Sequence, residues 1–161
     1  RHPETKVLSL STGHTRDYAE GAAYREYFAT DELMFQVPEL DGRLNNKDEV
    51  LGLVLPRYPD QPMAIAVAYL ADHPLYQDRV GELDVVVLTD TSGASRVYES
   101  GGMTFTGWDG DSQLRDKEGG VWRLEEAKLE AADGRSLYRL PAHRAFWFGW
   151  YSAYSHTRLV N

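Results

Sequence analysis

Two short stretches carry the residue types that acid–base chemistry needs. The first is Thr12-Gly13-His14-Thr15-Arg16-Asp17-Tyr18. There Arg16 and Asp17 could bracket a polar ligand, and His14 or Tyr18 could move a proton. The plainer reading is a structural loop in which Asp17 accepts hydrogen bonds from backbone or arginine. The second stretch is His143-Arg144, just ahead of an aromatic run. His143 could act as a general base or a metal ligand. The plainer reading has it cap or anchor the start of a helix, with Arg144 in an ion pair. An enzyme made from these parts would bring His14, Arg16, Asp17, Tyr18 and His143 into one pocket, because acid and base must reach the same substrate.

Other candidates are weaker. Asp109 and Asp111 flank Gly110 as at the start of a calcium loop, but the remaining ligands, including the distal Glu, are not at the required spacing. A solvated hairpin turn is the better account. His2, His73 and His156 stand alone, without a second ligand at a spacing such as H-x-x-x-H. No metal site and no cofactor is therefore expected. Trp108 and Trp122 could form a flat sugar-stacking platform, although single tryptophans on strands usually belong to a core. There is no G-x-S-x-G, no phosphate loop and no G-x-G-x-x-G. A Ser-His-Asp triad leaves no trace in spacing, and nothing points to one.

The elements that must position these residues are mostly strands. A short helix is predicted from Gly21 to Phe28, where Tyr24, Tyr27 and Phe28 fall at i, i+3 and i+4. Asp31 to Val37 reads as a short strand ending at Pro38. Val50 to Leu55 is an apolar strand stopped by Pro56, and the proline-rich Arg57 to Pro62 reads as a loop. Met63 to Leu70 could be strand, helix or both in succession. Leu83 to Leu88 is an apolar strand except for Asp84. Arg96 to Glu99 is expected to pair with Met103 to Trp108 across Gly101-Gly102, because two glycines permit a tight hairpin. Further turns fall at Asp109-Gly110, Asp116 to Gly120 and Asp133-Gly134. Trp122 to Ala132 contains good helix formers, yet it sits within a meander from Leu83 to Leu140. We read it as a strand with a bulge where the alternation slips.

After Pro141 the chain becomes intensely aromatic: six of the nine residues from Phe146 to Tyr154 are Phe, Trp or Tyr. Phe146, Trp150 and Tyr154 have helical spacing, and Gly149 and Ala153 would admit a close neighbour. Such a segment must be buried. The fold class is therefore mainly β (α+β): a curved antiparallel sheet, sandwich or barrel-like, with a short N-terminal helix and an aromatic C-terminal helix packed on it. Most of Phe146, Trp147, Phe148, Trp150 and Tyr151 are expected to pack onto the sheet of the same chain.

The 161 residues suffice for one domain with a real core, and 42% hydrophobic with 26% charged residues is a globular composition. A net charge of −8 argues against nucleic acid and against an anionic membrane surface. The absence of cysteine excludes disulfides and thiolate chemistry. No apolar run approaches the roughly 20 residues of a membrane-spanning helix. Arg1 is not preceded by a methionine or signal peptide, so a fragment, processed form or excised domain is expected.

The two ends echo each other. Thr5-Lys6-Val7-Leu8 resembles Thr157-Arg158-Leu159-Val160. Residues 1–10 thus read as the tail of an upstream repeat or linker, and 11–161 as a single β-rich domain. Three segments together look familiar: His2-Pro3-Glu4-Thr5-Lys6-Val7-Leu8-Ser9 with the Thr12–Tyr18 loop; Asp41-Gly42-Arg43-Leu44 with Lys47 and Val50-Leu51-Gly52; and Leu140-Pro141-Ala142-His143-Arg144-Ala145-Phe146-Trp147-Phe148. They resemble the C-terminal half of the prokaryotic family called domain of unknown function 3179. That resemblance implies two related halves in full-length members and a location outside the cytoplasm, in the periplasm, at the cell surface or secreted. The family's suggestive cysteine pair and histidine have no counterpart in Val85 to Gly93. The reading is thus an extracytoplasmic binding or structural module, a non-catalytic half or subunit whose partner is another protein domain. The alternatives are an enzyme half, using the Thr12–Tyr18 loop and the Pro141–Arg144 segment, and a carbohydrate-binding module.

Overall fold

The run from Val50 to Leu55 is apolar on both faces because both faces are covered. In the computed structural model, which describes residues 4–6, 11, 13 and 21–161, this run is strand β1 (Glu49–Leu55). Leu51, Leu53 and Leu55 point into one core cluster and Val50 into another. The candidate residues His2, His14, Thr15, Arg16, Asp17 and Tyr18 lie outside the described residues.

The chain divides into two units, residues 1–36 and 37–161. In the first, the expected helix is a single turn, α1 (Arg25–Phe28). Gly21 and Tyr24 both adopt positive φ, which a right-handed helix excludes, so the helix cannot start earlier. Residues 31–37 form bends rather than a strand. Leu33, Phe35 and Val37 alternate, but alternation describes a face and does not supply a pairing partner.

The second unit contains two sheets. One has four strands in the order β11-β1-β2-β12, with β2 Tyr58–Ala66, β11 His143–Phe146 and β12 Arg158–Val160. β12 lies parallel to β2, and the other pairs are antiparallel. The proline-rich segment read as a loop belongs to β2. The ladder pairs Leu55 with Tyr58 and then Leu53 with Met63, so Pro59 and Pro62 fall in a bulge where no ladder N–H is required. After β2 the chain turns directly into α2 (Val67–Asp72), so Met63 to Leu70 is strand and helix in succession.

The other sheet has eight strands in the order β3-β4-β5-β10-β9-β8-β7-β6, all antiparallel. They are β3 (Leu75–Val80), β4 (Leu83–Thr89), β5 (Ser95–Glu99), β6 (Phe105–Trp108), β7 (Gln113–Asp116), β8 (Val121–Leu124), β9 (Lys128–Ala131) and β10 (Ser136–Leu140). The expected pairing of Arg96–Glu99 with Met103–Trp108 does not form. β5 has β4 on one side and β10 on the other, which leaves it no free edge. Gly101 and Gly102 turn the chain away instead, and β6 pairs with β7. The slip between Trp122 and Ala132 is a hairpin turn at residues 125–127 rather than a bulge, with Trp122 paired to Ala131.

This sheet curls until its first and last strands meet. The Gln77 side chain on β3 accepts a hydrogen bond from the Phe105 N–H at 2.8 Å and donates one to the Phe105 carbonyl at 3.0 Å. A side-chain amide thus stands in for one rung of a ladder and nearly closes a barrel-like sheet. Val86, Leu88, Leu114, Trp122 and Leu129 fill its interior. On the other face of β4, Val85 and Val87 meet Leu51, Leu53 and Ile65 of the four-stranded sheet. β4 is apolar throughout because it separates two cores.

The outer face of the four-stranded sheet is covered by α3 (Trp147–Ala153). Trp147 and Trp150 are buried against Val50 and Ala64. Phe146, Phe148 and Tyr151 are partly buried, so the aromatic segment packs on its own chain as expected. It does so in two forms: β11 comes first, and the helix starts only at Trp147, whose N–H donates to the Asp48 carbonyl at 2.8 Å.

Candidate functional site

His143 and Arg144 occupy β11, where they pair with Gly52 and Leu51 of β1. His143 is therefore a strand residue and not a helix cap. Its imidazole is exposed, and its ring centre lies 5.6 Å from that of Trp150. Arg144 makes the expected ion pair, reaching Glu49 at 3.4 Å. It also donates to the Gly93 carbonyl in the turn between β4 and β5. One guanidinium thereby joins the four-stranded sheet to the eight-stranded sheet. Ser92, Ser95, His143 and Arg144 line a shallow depression of about 340 Å³ at this junction.

The junction turn is built by Asp90. Its carboxylate accepts hydrogen bonds from Ser92 N–H at 2.9 Å, Ala94 N–H at 3.1 Å, the Ser92 hydroxyl and Arg96 at 2.9 Å. The Ser92 hydroxyl and then Arg96 hold the Asp90 carboxyl well below the usual range, against a smaller opposing effect of burial. Asp90 is thus a turn anchor whose oxygens are occupied, not a base. Arg96 also approaches Glu126 at 3.7 Å, so this network runs from the turn to the β8–β9 hairpin.

A second carboxylate network, formed by Tyr76, Asp78 and Arg158, was missed in the sequence. Burial would raise the Asp78 carboxyl, but hydrogen bonds from Arg158, at 2.9 Å, and from the Tyr76 hydroxyl outweigh it and lower its pKa. Tyr76 is raised by burial and by the adjacent Asp78 charge. Tyr76 and Asp78 share one face of β3 at i and i+2, a signal available only once residues 75–80 are recognised as a strand. Arg158 lies eighty residues away on β12, and no spacing rule connects it.

The remaining candidates take structural places. Asp109 accepts the N–H groups of Asp111, Ser112 and Gln113 at 2.9 to 3.0 Å, the solvated hairpin turn expected of it. Those backbone donors, Gln113 first, lower its pKa. Among the described residues no group of three or more His, Asp or Glu could hold a metal. His73 stacks on Tyr69 with ring centres 4.0 Å apart, and His156 is exposed. Trp122 is buried, and its indole N–H donates to Asp116 at 2.9 Å, so it offers no face to a sugar. Trp108 is half-buried, its indole N–H bound to the Thr89 carbonyl at 2.8 Å. No helix among the described residues is long and apolar enough to cross a membrane.

The structure therefore brings His143 together with Arg144, Ser92 and Ser95. Of the Thr12–Tyr18 loop, all residues but Gly13 lie outside the described residues. The residues of the Leu140–Phe148 segment weld two sheets and start the covering helix, which gives a structural reason for a distinctive sequence there. No curated protein and no solved structure matches the chain. The family model described as Protein of unknown function (DUF3179) matches residues 1–157. The match runs over the chain as a whole and does not single out a C-terminal half, and the chain belongs to that family.

Proposed function

We propose that this protein is a partner-binding module that works outside the cytoplasm as one unit of a larger assembly. The observation that carries the reading is a concentration of exposed apolar side chains in residues 21–36. Tyr24 is 65% exposed, Phe28 52%, Met34 67% and Phe35 57%. Four large apolar side chains within this short stretch is more than a solvated surface ordinarily carries, and such clusters mark contact surfaces. The location rests on the family resemblance. The second unit supports the same reading from another side: Arg144 and Asp90, two of the polar residues at its sheet junction, are engaged in holding the fold.

Site-specific photo-crosslinking in the native cell tests this. A benzoylphenylalanine replacing Phe35 is expected to capture one discrete, identifiable polypeptide, while the same probe replacing the exposed Tyr138 captures none. Equal capture at both positions, or none at either, overturns the proposal.

A further inference from the structure

The outer face of the β7–β8–β9 meander holds an open cleft of about 520 Å³, within the size range of small-ligand sites. Its origin is steric. Val121 and Ala132 line it, and these short side chains lie among longer ones from Gln113, Arg123 and Glu130. The ladder fixes the arrangement. Gln113 pairs with Arg123, and Arg123 with Glu130, forming one polar row across three strands. Arg115 pairs with Val121 in the next row. Partners across an antiparallel ladder share a face, so Arg115 is on the same face, but only Arg123 lines the cleft.

The charges in this row are not arranged as a ladder would ordinarily satisfy them. Arg123 and Glu130 are direct cross-strand partners of opposite sign, yet Glu130 turns to Lys128 at 2.7 Å. Lys128 accordingly holds the Glu130 carboxyl below its usual range. Among the described residues neither Arg123 nor Arg115 enters an ion pair. Neither exposed guanidinium lies within ion-pair distance of a carboxylate, Arg123 attracting Glu130 only at longer range, which is notable in a chain of net charge −8. A guanidinium presents a planar fork of donors that matches a carboxylate or a phosphate.

Glu130 discriminates between those two. Its negative charge on the cleft wall, within an acidic protein, opposes a dianion. The same oxygens accept hydrogen bonds from hydroxyl groups. Gln113 and Ser112, also on the wall, add an amide and a hydroxyl, each able to donate and accept. Val121, 39% exposed, supplies an apolar floor for C–H groups. One cation fork, several neutral hydrogen-bonding groups, one acceptor carboxylate and a small apolar floor describe a ligand with one carboxylate and several hydroxyls. We propose that the cleft over Val121 and Ala132 binds a monoanionic, hydroxyl-rich carboxylate of the uronic acid class, with Arg123 as its carboxylate anchor. The site stands independently of the partner-binding surface in residues 21–36.

Titration of the whole chain with galacturonate, a monoanion, followed by amide and arginine Nε NMR shifts, tests the proposal. Saturable shifts are expected at Gln113, Val121 and Arg123, with none at the depression beside His143. Arg123→Gln should weaken binding at least about tenfold, the loss of a charge-assisted hydrogen-bonding group, with the melting temperature unchanged because the residue is exposed. Glu130→Gln should keep galacturonate binding and let inorganic phosphate compete better. Three results each overturn the proposal: no saturable shift in the cleft, equal affinity for neutral galactose, or an Arg123→Gln variant that binds as the parent does.

Discussion

Gly52 is the residue on which the aromatic clasp turns. A β-carbon there would sit 2.1 Å from the six-membered ring of Trp150. The ring cannot withdraw, because it is buried and its indole N–H donates to the Thr157 hydroxyl at 3.0 Å. Glycine at this position is a slot cut for an indole. Gly52→Ala should therefore lower unfolding free energy by about 1–3 kcal/mol, the usual cost of overpacking, measured by urea denaturation. Gly149 was expected to admit a close neighbour, but a β-carbon there meets nothing within 4 Å. Gly149→Ala in α3 should stabilise by up to about 1 kcal/mol through helix propensity alone. The two glycines are indistinguishable in the sequence, since each is a Gly in an apolar run. What separates them is a tertiary approach between segments a hundred residues apart. The same limit hid the Arg158–Asp78 pair and the partner of Arg144, Glu49, which is 95 residues away, whereas the Asp109 turn was legible because its donors lie within four residues.

Among the elements, Gln77 has the most unusual task. Its amide closes the seam between β3 and β6 in place of a backbone ladder. Gln77→Leu should leave the Phe105 N–H and carbonyl without that partner and cost about 0.5–1.5 kcal/mol. Hydrogen exchange at the Phe105 amide should accelerate by more than exchange at Val86, which lies inside the sheet. Unchanged exchange at Phe105 would show that the seam is held by packing instead. The elements themselves were legible where burial is two-sided. β1 and β4 are continuous apolar runs because each separates two cores. β2 was misread at its start, because proline discourages a strand only where its N–H is needed, and the bulge removes that need. The Gly101-Gly102 hairpin failed for the opposite reason: its turn chemistry is right locally, but β10 already holds the strand edge. Local signals describe what a segment tolerates. Competition for edges decides what it pairs with.

At the scale of the molecule, acid is the condition that acts on many of these contacts together. The carboxyls of Asp41, Asp78, Asp90 and Asp109 are all lowered in the fold. A lowered folded value means that the unfolded chain takes up protons first, so the stabilisation is complete above the unfolded value of about 4 and lost as pH falls below it. Melting temperature should be nearly flat from neutral pH to about 5 and fall steeply below about 4. Asp90→Asn should lower the plateau and flatten part of that fall, and a variant with the parent's acid slope would remove Asp90 from the account. The order of synthesis adds a further constraint. Strands β3 to β10 all derive from residues 75–140, so the barrel-like sheet can assemble while the chain is still emerging. The β1–β2 hairpin is made earlier, yet β11, α3 and β12, which flank and cover it, come from residues 143–160. During that interval Val50 and Ala64 face solvent, and one edge of β1 is bare. The hairpin made first is the one finished last, so a nascent or truncated chain exposes its stickiest surface for the longest time.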